Sequence, residues 1–329
     1  MRTSQLNNIR IGITAGDAAG IGPEIILKAL AKVKDKSVSF LIIGDYEVFK
    51  KVKTKLARRG INYLPRGVNF LDMNIIGKRS YKLGRPSKLC GRASIAYIKE
   101  AANLIRDKKI DALVTAPINK EAISLAGCKW RGHTELLAHL AGIEEVAMMF
   151  VAEQFKIILV TTHVALSKVN KILNPRLILK KIELADRYLK GYFRIKRPLI
   201  GVCGFNPHAS DGGLFGKEEC DSILPAVKMA KRKKINVMGP ESAESLFHQA
   251  YHGKIDALIC MYHDQALIPL KMILRDKAVN LTIGLPYIRT SPSSGTAYDI
   301  SARTIARPES MIEAVKLAAS LTRIKKARL

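Results

Sequence analysis

Short apolar runs that turn polar at their downstream end recur along this chain: RIGITAG, VSFLIIGD, DALVTAP, AMMFVAE, KIILVTTH, LIGVCGFN, DALICMYH and AVNLTIG. Each has the length of a strand. Between many of them stand stretches with apolar residues three and four apart, among them PEIILKALAKV, RASIAYIKEAANLIRDKK, PRLILKKIELADRYLKGYF and SMIEAVKLAASLTRIKK, which is the period of a helix with one buried face. The alternation predicts an α/β protein with a largely parallel sheet. AMMFVAE and KIILVTTH lie too close for a helical crossover between them, so that pair is expected to be antiparallel and the sheet mixed. No linker rich in Pro, Ser or Gly divides the chain and no repeat is visible, so any two lobes are continuous through strands, with substrate expected in the cleft between them.

Three runs end on a histidine: KIILVTTH on His163, LIGVCGFNPH on His208 and DALICMYH on His263. A parallel sheet would deliver all three to one edge, where open α/β sheets bind their ligands. Three neutral imidazoles hold a divalent metal and leave a position open, the arrangement of a catalytic site. For any one of them a hydrogen-bonded structural role is the commoner alternative; the repetition is what favours metal. His139 falls on a helix body and is read as structural. His248 and His252 are four apart in FHQAYH without the glutamate of a His-Glu-x-x-His site, and are read as surface residues.

Composition narrows the picture further. At 329 residues and 48% hydrophobic, the chain can bury a large core. Nothing resembles a signal peptide or a membrane span, so a cytoplasmic location is expected. The five cysteines are scattered without a Cys-x-x-Cys pair, which suggests neither a disulfide framework nor a thiolate metal site. Lys and Arg exceed Asp and Glu by 55 to 28, a net +27 that attracts phosphorylated molecules and polyanions alike. The basic residues sit in helical stretches such as YEVFKKVKTKLARRG and KMAKRKK without aromatics for base stacking, so no specific nucleic-acid surface is expected.

Other segments carry candidate chemistry. GDAAGIGPE follows a strand and opens a helix with Pro23 at its first position, but satisfies neither the dinucleotide fingerprint nor the Walker loop, and reads as a tight turn. In RGHTELLAHLAG, His133 and Thr134 begin a helix whose first amides suit an anion; a plain cap by Thr134 fits the same letters. Lys271, Asn280 and Arg289 are expected in short strands and turns, where they suit a substrate bearing phosphate and carboxylate, or else are solvated charges.

Taken together, TAPINKEAI, GHTELLA, TTHVAL, NPHASDGGLFGKEE, MYHDQALIPLK and TIGLPYIRTSP, in this order, resemble the 4-hydroxythreonine-4-phosphate dehydrogenase family of pyridoxal phosphate biosynthesis, over nearly the whole chain. The resemblance implies an oxidoreductase that uses NAD or NADP and one divalent ion (zinc, magnesium, cobalt or manganese). It also implies a homodimer whose active site lies at the subunit interface, the metal-binding histidines of one subunit completing the site of the other. The implied fold is a two-lobed, three-layer α/β/α architecture similar to isocitrate and isopropylmalate dehydrogenases, with lobes at 1–130 plus 286–329 and at 131–285. By motif, His163, His208 and His263 look like metal ligands, and His133, Thr134, Lys271, Asn280 and Arg289 like substrate contacts.

The implied reaction oxidises 4-phosphooxy-L-threonine at its 3-hydroxyl and releases carbon dioxide to leave 3-amino-2-oxopropyl phosphate. Lys271 is then the candidate for proton transfer or an electrostatic clamp, and Asp264 a group that orients the site. SPSSGTAYDISAR is similar to an adenosine-binding loop, which makes Gly295, Thr296 and Asp299 cofactor candidates. Ser293 and Ser294 replace the family's Asp-His there, removing a ring that could pack on adenine. Ala18 and Ala266 are milder departures. Relatives that oxidise D-threonate or D-erythronate 4-phosphate stay open as an alternative, as do a metal-assisted hydrolase and a polyanion-binding protein.

Overall fold

The computed structural model describes residues 8–58 and 68–328. The ends of the basic stretches YEVFKKVKTKLARRG and, at the C-terminus, RIKKARL, residues 59–60 and 329, lie outside the described residues. Strands run at Ile9–Thr14 (β1), Val38–Gly44 (β2), Val68–Asp72 (β3), Ala112–Thr115 (β4), Ala147–Ala152 (β5), Phe155–Leu159 (β6), Ile200–Cys203 (β7), Val237–Glu241 (β8), Ala257–Cys260 (β9), Val279–Ile283 (β10) and Ile288–Pro292 (β11). Helices run at Gly22–Lys32 (α1), Tyr46–Ala57 (α2), Lys88–Arg106 (α3), Lys120–Leu125 (α4), His133–Leu140 (α5), Leu166–Ile172 (α6), Pro175–Tyr192 (α7), Leu224–Arg232 (α8), Ala243–Tyr251 (α9), His263–Leu274 (α10) and Glu309–Lys326 (α11). The expected α/β class holds: a mostly parallel, mixed sheet architecture with helices on both sides.

The chain divides into two compact units, residues 1–144 with 285–329, and residues 145–284. In the first, β3, β2, β1, β4 and β11 lie side by side in that order and all pair parallel. Apart from the exposed Arg10 at the start of β1, β1 and β4 are buried on both faces, as a parallel sheet covered by helices requires. Local chemistry sets the helix starts: Ser87 Oγ accepts from Cys90 N at 3.2 Å ahead of α3, and Asn119 Oδ1 from Ala122 N at 2.8 Å ahead of α4.

In the second unit the order is β10, β5, β6, β9, β7, β8. β5 pairs antiparallel with both β6 and β10, as the short AMMFVAE–KIILVTTH spacing required, whereas β6, β9, β7 and β8 are parallel. α7 begins where Asn174 Oδ1 accepts from Leu177 N at 2.9 Å with Pro175 behind it, and it buries Ile178, Ile182, Ala185 and Leu189. Each fully buried aliphatic or aromatic side chain in such a core, Phe155 and Ile157 among them, contributes about 1.5–3 kcal/mol. All five cysteines are free thiols, and Cys203 and Cys260 lie 3.8 Å apart on the neighbouring strands β7 and β9.

Candidate active site

Because β6, β9 and β7 are parallel neighbours, the segments leaving their C-terminal ends emerge on one edge of the second unit. His163 follows β6, His208 follows β7, and His263 opens α10 just after β9. The first and last of these segments are laced together: Thr161 donates to Met261 O from its amide (3.2 Å) and its hydroxyl (2.7 Å). That brings the His163 and His263 rings to 5.7 Å between centres. Two imidazoles sharing one cation through bonds of about 2.1 Å have ring centres roughly 5 Å apart, so this spacing suits a common ion. His263 Nδ1 pairs with Asp264 Oδ1 at 2.6 Å. A carboxylate on that nitrogen fixes the tautomer with the lone pair on Nε2, the nitrogen left for a metal.

His208 is held differently. It sits in Pro207–Gly213, where His208, Ala209, Ser210 and Asp211 all have left-handed φ, between 45° and 67°. Such conformations cost about 1 kcal/mol or more per non-glycine residue and gather at functional sites. The buried Glu219 anchors the segment, its Oε1 accepting from the amides of Phe205 and Asn206 at 2.7 Å each. Gly204 lets the loop fold back, since a Cβ there would lie 2.8 Å from Ala209 Cα. Gln265 ties this loop to the β9 exit, accepting from Met261 N and donating to Gly204 O, both at 2.7 Å. The nearest ring recorded to His208 is that of Phe215, at 6.5 Å. Among the described residues of one chain, no three His, Cys, Asp or Glu side chains lie close enough to hold a metal. The structure thus brings His163 and His263 together and leaves His208 apart from them.

In the first unit, α5 begins at His133 with Gly132 as its N-cap and no side-chain cap, so Thr134 is not the cap the sequence allowed. His133 Nε2 is buried without a hydrogen-bond partner, and burial first, then the Arg289 charge, holds its pKa well below 6.5. Arg289, 2% exposed, donates to Thr115 Oγ1 from Nε at 3.2 Å and Nη2 at 2.6 Å, and desolvation brings its pKa down to about 10. It stays a cation at neutral pH. A buried guanidinium beside a neutral imidazole and the uncapped start of a helix is a receptor for an anion.

Back in the second unit, Asn280 Oδ1 on β10 is likewise buried and without a partner. Lys271 does not lie in a strand or turn as the sequence suggested; it is an exposed residue of α10, which continues through Pro269. Of the cofactor candidates, Gly295 and Asp299 are exposed, while Thr296 O accepts from Ile21 N at 3.0 Å. A Cβ on Gly20 would meet that same carbonyl at 2.8 Å, which fixes the loop against the N-terminal turn.

The family model of the pyridoxal phosphate biosynthetic protein PdxA matches residues 24–318. The chain belongs to that family. It is 40% identical to a 4-hydroxythreonine-4-phosphate dehydrogenase of Sulfurihydrogenibium over 97% of this chain and 100% of the relative. It is 41% identical to a D-threonate 4-phosphate dehydrogenase of Cupriavidus necator, over 94% and 96%. A 1.25 Å crystal structure of the Klebsiella pneumoniae 4-hydroxythreonine-4-phosphate dehydrogenase superposes with a TM-score of 0.86 at 36% identity, covering 97% of this chain and 99% of that one.

In this PdxA-family chain three further groups hold the site, and no sequence signal marks them. Glu219 and Gln265 act through backbone groups that only the fold brings near. Tyr298 donates its hydroxyl to the buried Asp17 at 2.9 Å, bracing the loop in which Ser294 lacks a ring.

The half-buried imidazole, with its Nε2 enclosed, gives a stability signature. Unfolded, His133 takes a proton near pH 6.5; folded, it does so only at lower pH. Unfolding therefore binds a proton below that value, and stability falls as pH drops through it. Thermal melts from about pH 7 to about pH 5 are expected to show a shallower decline for His133→Gln than for the parent. Parallel curves would mean that His133 ionises alike in both states.

Proposed function

We propose that this chain oxidises and decarboxylates 4-phosphooxy-L-threonine to 3-amino-2-oxopropyl phosphate, reducing NAD or NADP, within pyridoxal phosphate biosynthesis in the cytoplasm. The observation that carries the reading is the His133 Nε2 left unpartnered beside a buried, charged Arg289 at the start of α5. Arg289 would fork onto phosphate or carboxylate, with Thr134 and the first amides of α5 adding donors. His133, kept neutral, offers one nitrogen as donor or acceptor and adds no second positive charge. Asn280 Oδ1 is an acceptor for an N–H or O–H of the substrate, and Lys271 supplies a point charge and a proton near the reacting oxygen.

His163 and His263 would hold a divalent ion, zinc, magnesium, cobalt or manganese, with His208 as third ligand, and Asp264 orients His263. Such an ion polarises the substrate oxygen and favours its deprotonated form. Oxidation would take the proton from the 3-hydroxyl and hydride from C3, for which a bound dinucleotide would be the acceptor. In the resulting 3-oxo acid the bond from C2 to the carboxylate breaks, carbon dioxide departs, and C2 is protonated. Gly295, Thr296 and Asp299 are the residues proposed to meet the dinucleotide, Asp299 through ribose hydroxyls.

We further infer a homodimer. α10 buries Ala266, Leu267 and Leu270, yet its outer face exposes Ile268, Ile273 and Met272, the last 81% exposed, around Lys271. An apolar helix face rimmed by charge is how a subunit surface reads, and a second copy would give His208 a route to a neighbouring histidine pair.

D-threonate 4-phosphate is the second reading, favoured by a relative of equal identity that bears that name. The two substrates differ at C2, ammonium against hydroxyl. A panel of both compounds with D-erythronate 4-phosphate, read as absorbance of reduced nicotinamide with each dinucleotide, is expected to give the phosphooxy-threonine the highest kcat/KM and none of them turnover after chelation. A higher value for a sugar acid transfers the assignment to it. Substrate consumed without nucleotide reduction would point to hydrolysis and reject the dehydrogenase.

A further inference from the structure

Of the net +27, the first unit carries most: 34 Lys and Arg against 15 Asp and Glu. Part of this charge encloses a cavity of about 470 Å3 at the edge of the sheet opposite the strand C-termini. Its walls come from the N-terminal ends of three parallel strands: Arg10 enters β1, Ile110 and Asp111 precede β4, and Pro286 and Tyr287 precede β11. The remaining walls are the end of α3 and the last turns of α11. A strand of six residues spans about 20 Å, so this cavity is far from the edge at which α/β sheets hold substrate and dinucleotide.

Its chemistry is two-sided. Arg106, Lys108, Lys325 and Lys326 join Arg10 at the rim, and Asp111 is the one carboxylate in the lining. Asp111 is already shared, accepting from Arg10 Nη2 at 3.2 Å and Lys326 Nζ at 2.9 Å; burial acts to raise its pKa, but the hydrogen bonds from Arg10 and Lys326 together outweigh it and hold the carboxyl below the usual range. Positive charge is thus in excess. The accessible apolar surface comes from Ile105 and Pro286, and behind it lie the buried Ile110 and the ring of Tyr287, whose hydroxyl is also buried and has no hydrogen-bond partner. Burial lowers the Lys325 pKa, and its ammonium leans on Pro286 O at 2.9 Å, a weak partner for a cation. The volume lies within the roughly 300–1,000 Å3 of small-molecule sites, and cations over low-dielectric walls concentrate anions.

We propose that this cavity is a second ligand site, separate from the catalytic edge, for an organic phosphate that lays a flat aromatic ring against Ile105 and Pro286 and its phosphate among Arg106, Lys108 and Lys325. The rim supplies charge for the phosphate. The apolar surface supplies area for the ring, which inorganic phosphate cannot use.

Calorimetric titration of the full chain with adenosine monophosphate, adenosine and inorganic phosphate tests this. The monophosphate is expected to bind at least tenfold more tightly than either fragment, and the double variant Arg106→Glu, Lys325→Ala to weaken it at least tenfold while melting as the parent does. Arg106 is exposed and its ion pair with Asp107 contributes little, so the fold should tolerate the change. The single variants Arg106→Gln and Lys325→Gln, expected to weaken binding severalfold, serve if the double variant misfolds. An isotherm the variants leave unchanged, which is what binding only at the dinucleotide loop would give, overturns the proposal. So does equal binding of adenosine or of phosphate alone.

Discussion

Replacing His263 by alanine is expected to leave a folded chain that has lost its bound metal and at least about a hundredfold of its turnover, since removing groups that merely orient metal ligands already costs 10–100-fold. His263 is the better choice of the three histidines for this test. Its side chain is 37% exposed at the first position of α10, and its recorded hydrogen bond goes to the still more exposed Asp264, so little packing is lost with it. His208 stands in a left-handed run whose backbone a substitution could disturb. Asp264→Asn should give a graded effect, about 10–100-fold weaker metal binding with His263 still present. Metal content after dialysis, turnover and melting temperature are measured on the same samples. A His263→Ala protein that retains metal and activity would remove His263 from the site, whatever the role of its neighbours.

The ligand edge is legible in the residue letters because the apolar runs encode much of the physics of the fold. A parallel strand buried on both faces has little freedom in composition, so β1, β2, β4, β6, β7 and β9 stand out as apolar runs, and their polar exits mark the ligand edge. The short gap between β5 and β6 leaves only an antiparallel connection. β3 and β8 were not visible: both lie at the end of their strand order, where half-exposed, mixed residues suffice, and β8 includes Gly239 and Pro240.

For β11 the sequence places Arg289 in a short strand or turn, but no apolar run marks the strand. IRTSP is buried throughout yet polar at Arg289, Thr290 and Ser291, against the apolar patterning expected of a buried strand. A sheet accepts polar residues there when the site needs them. Lys271 lies in a helix instead because α10 runs through Pro269, a residue that supplies no local helical signal. The arrangement of Glu219, Gln265 and Tyr298 rests on contacts across tens to hundreds of residues, which no local pattern carries.

Arg289 is where function and stability should part most clearly. Its guanidinium is nearly inaccessible, and the pKa brought down to about 10 means that holding it charged in the fold costs on the order of 3 kcal/mol. Glu135, which partly offsets this, is itself exposed and returns to water if the cation is removed. Thr115 Oγ1 would lose both recorded donors, a loss of about 1–3 kcal/mol for a buried hydroxyl. The two effects nearly cancel, so Arg289→Met is expected to unfold in denaturant within about 1–2 kcal/mol of the parent. Catalysis has no such compensation. Losing a buried, forked contact to a phosphate or carboxylate costs about 2–5 kcal/mol, a fall in kcat/KM of roughly thirtyfold to several thousandfold. Arg289→Lys should fall in the same range, because a point charge on a shorter stem replaces two parallel donors. The loss should appear in substrate affinity and turnover while the KM for the dinucleotide moves little. A guanidinium placed there for the fold would give the reverse result, a chain several kcal/mol less stable with its kinetics intact.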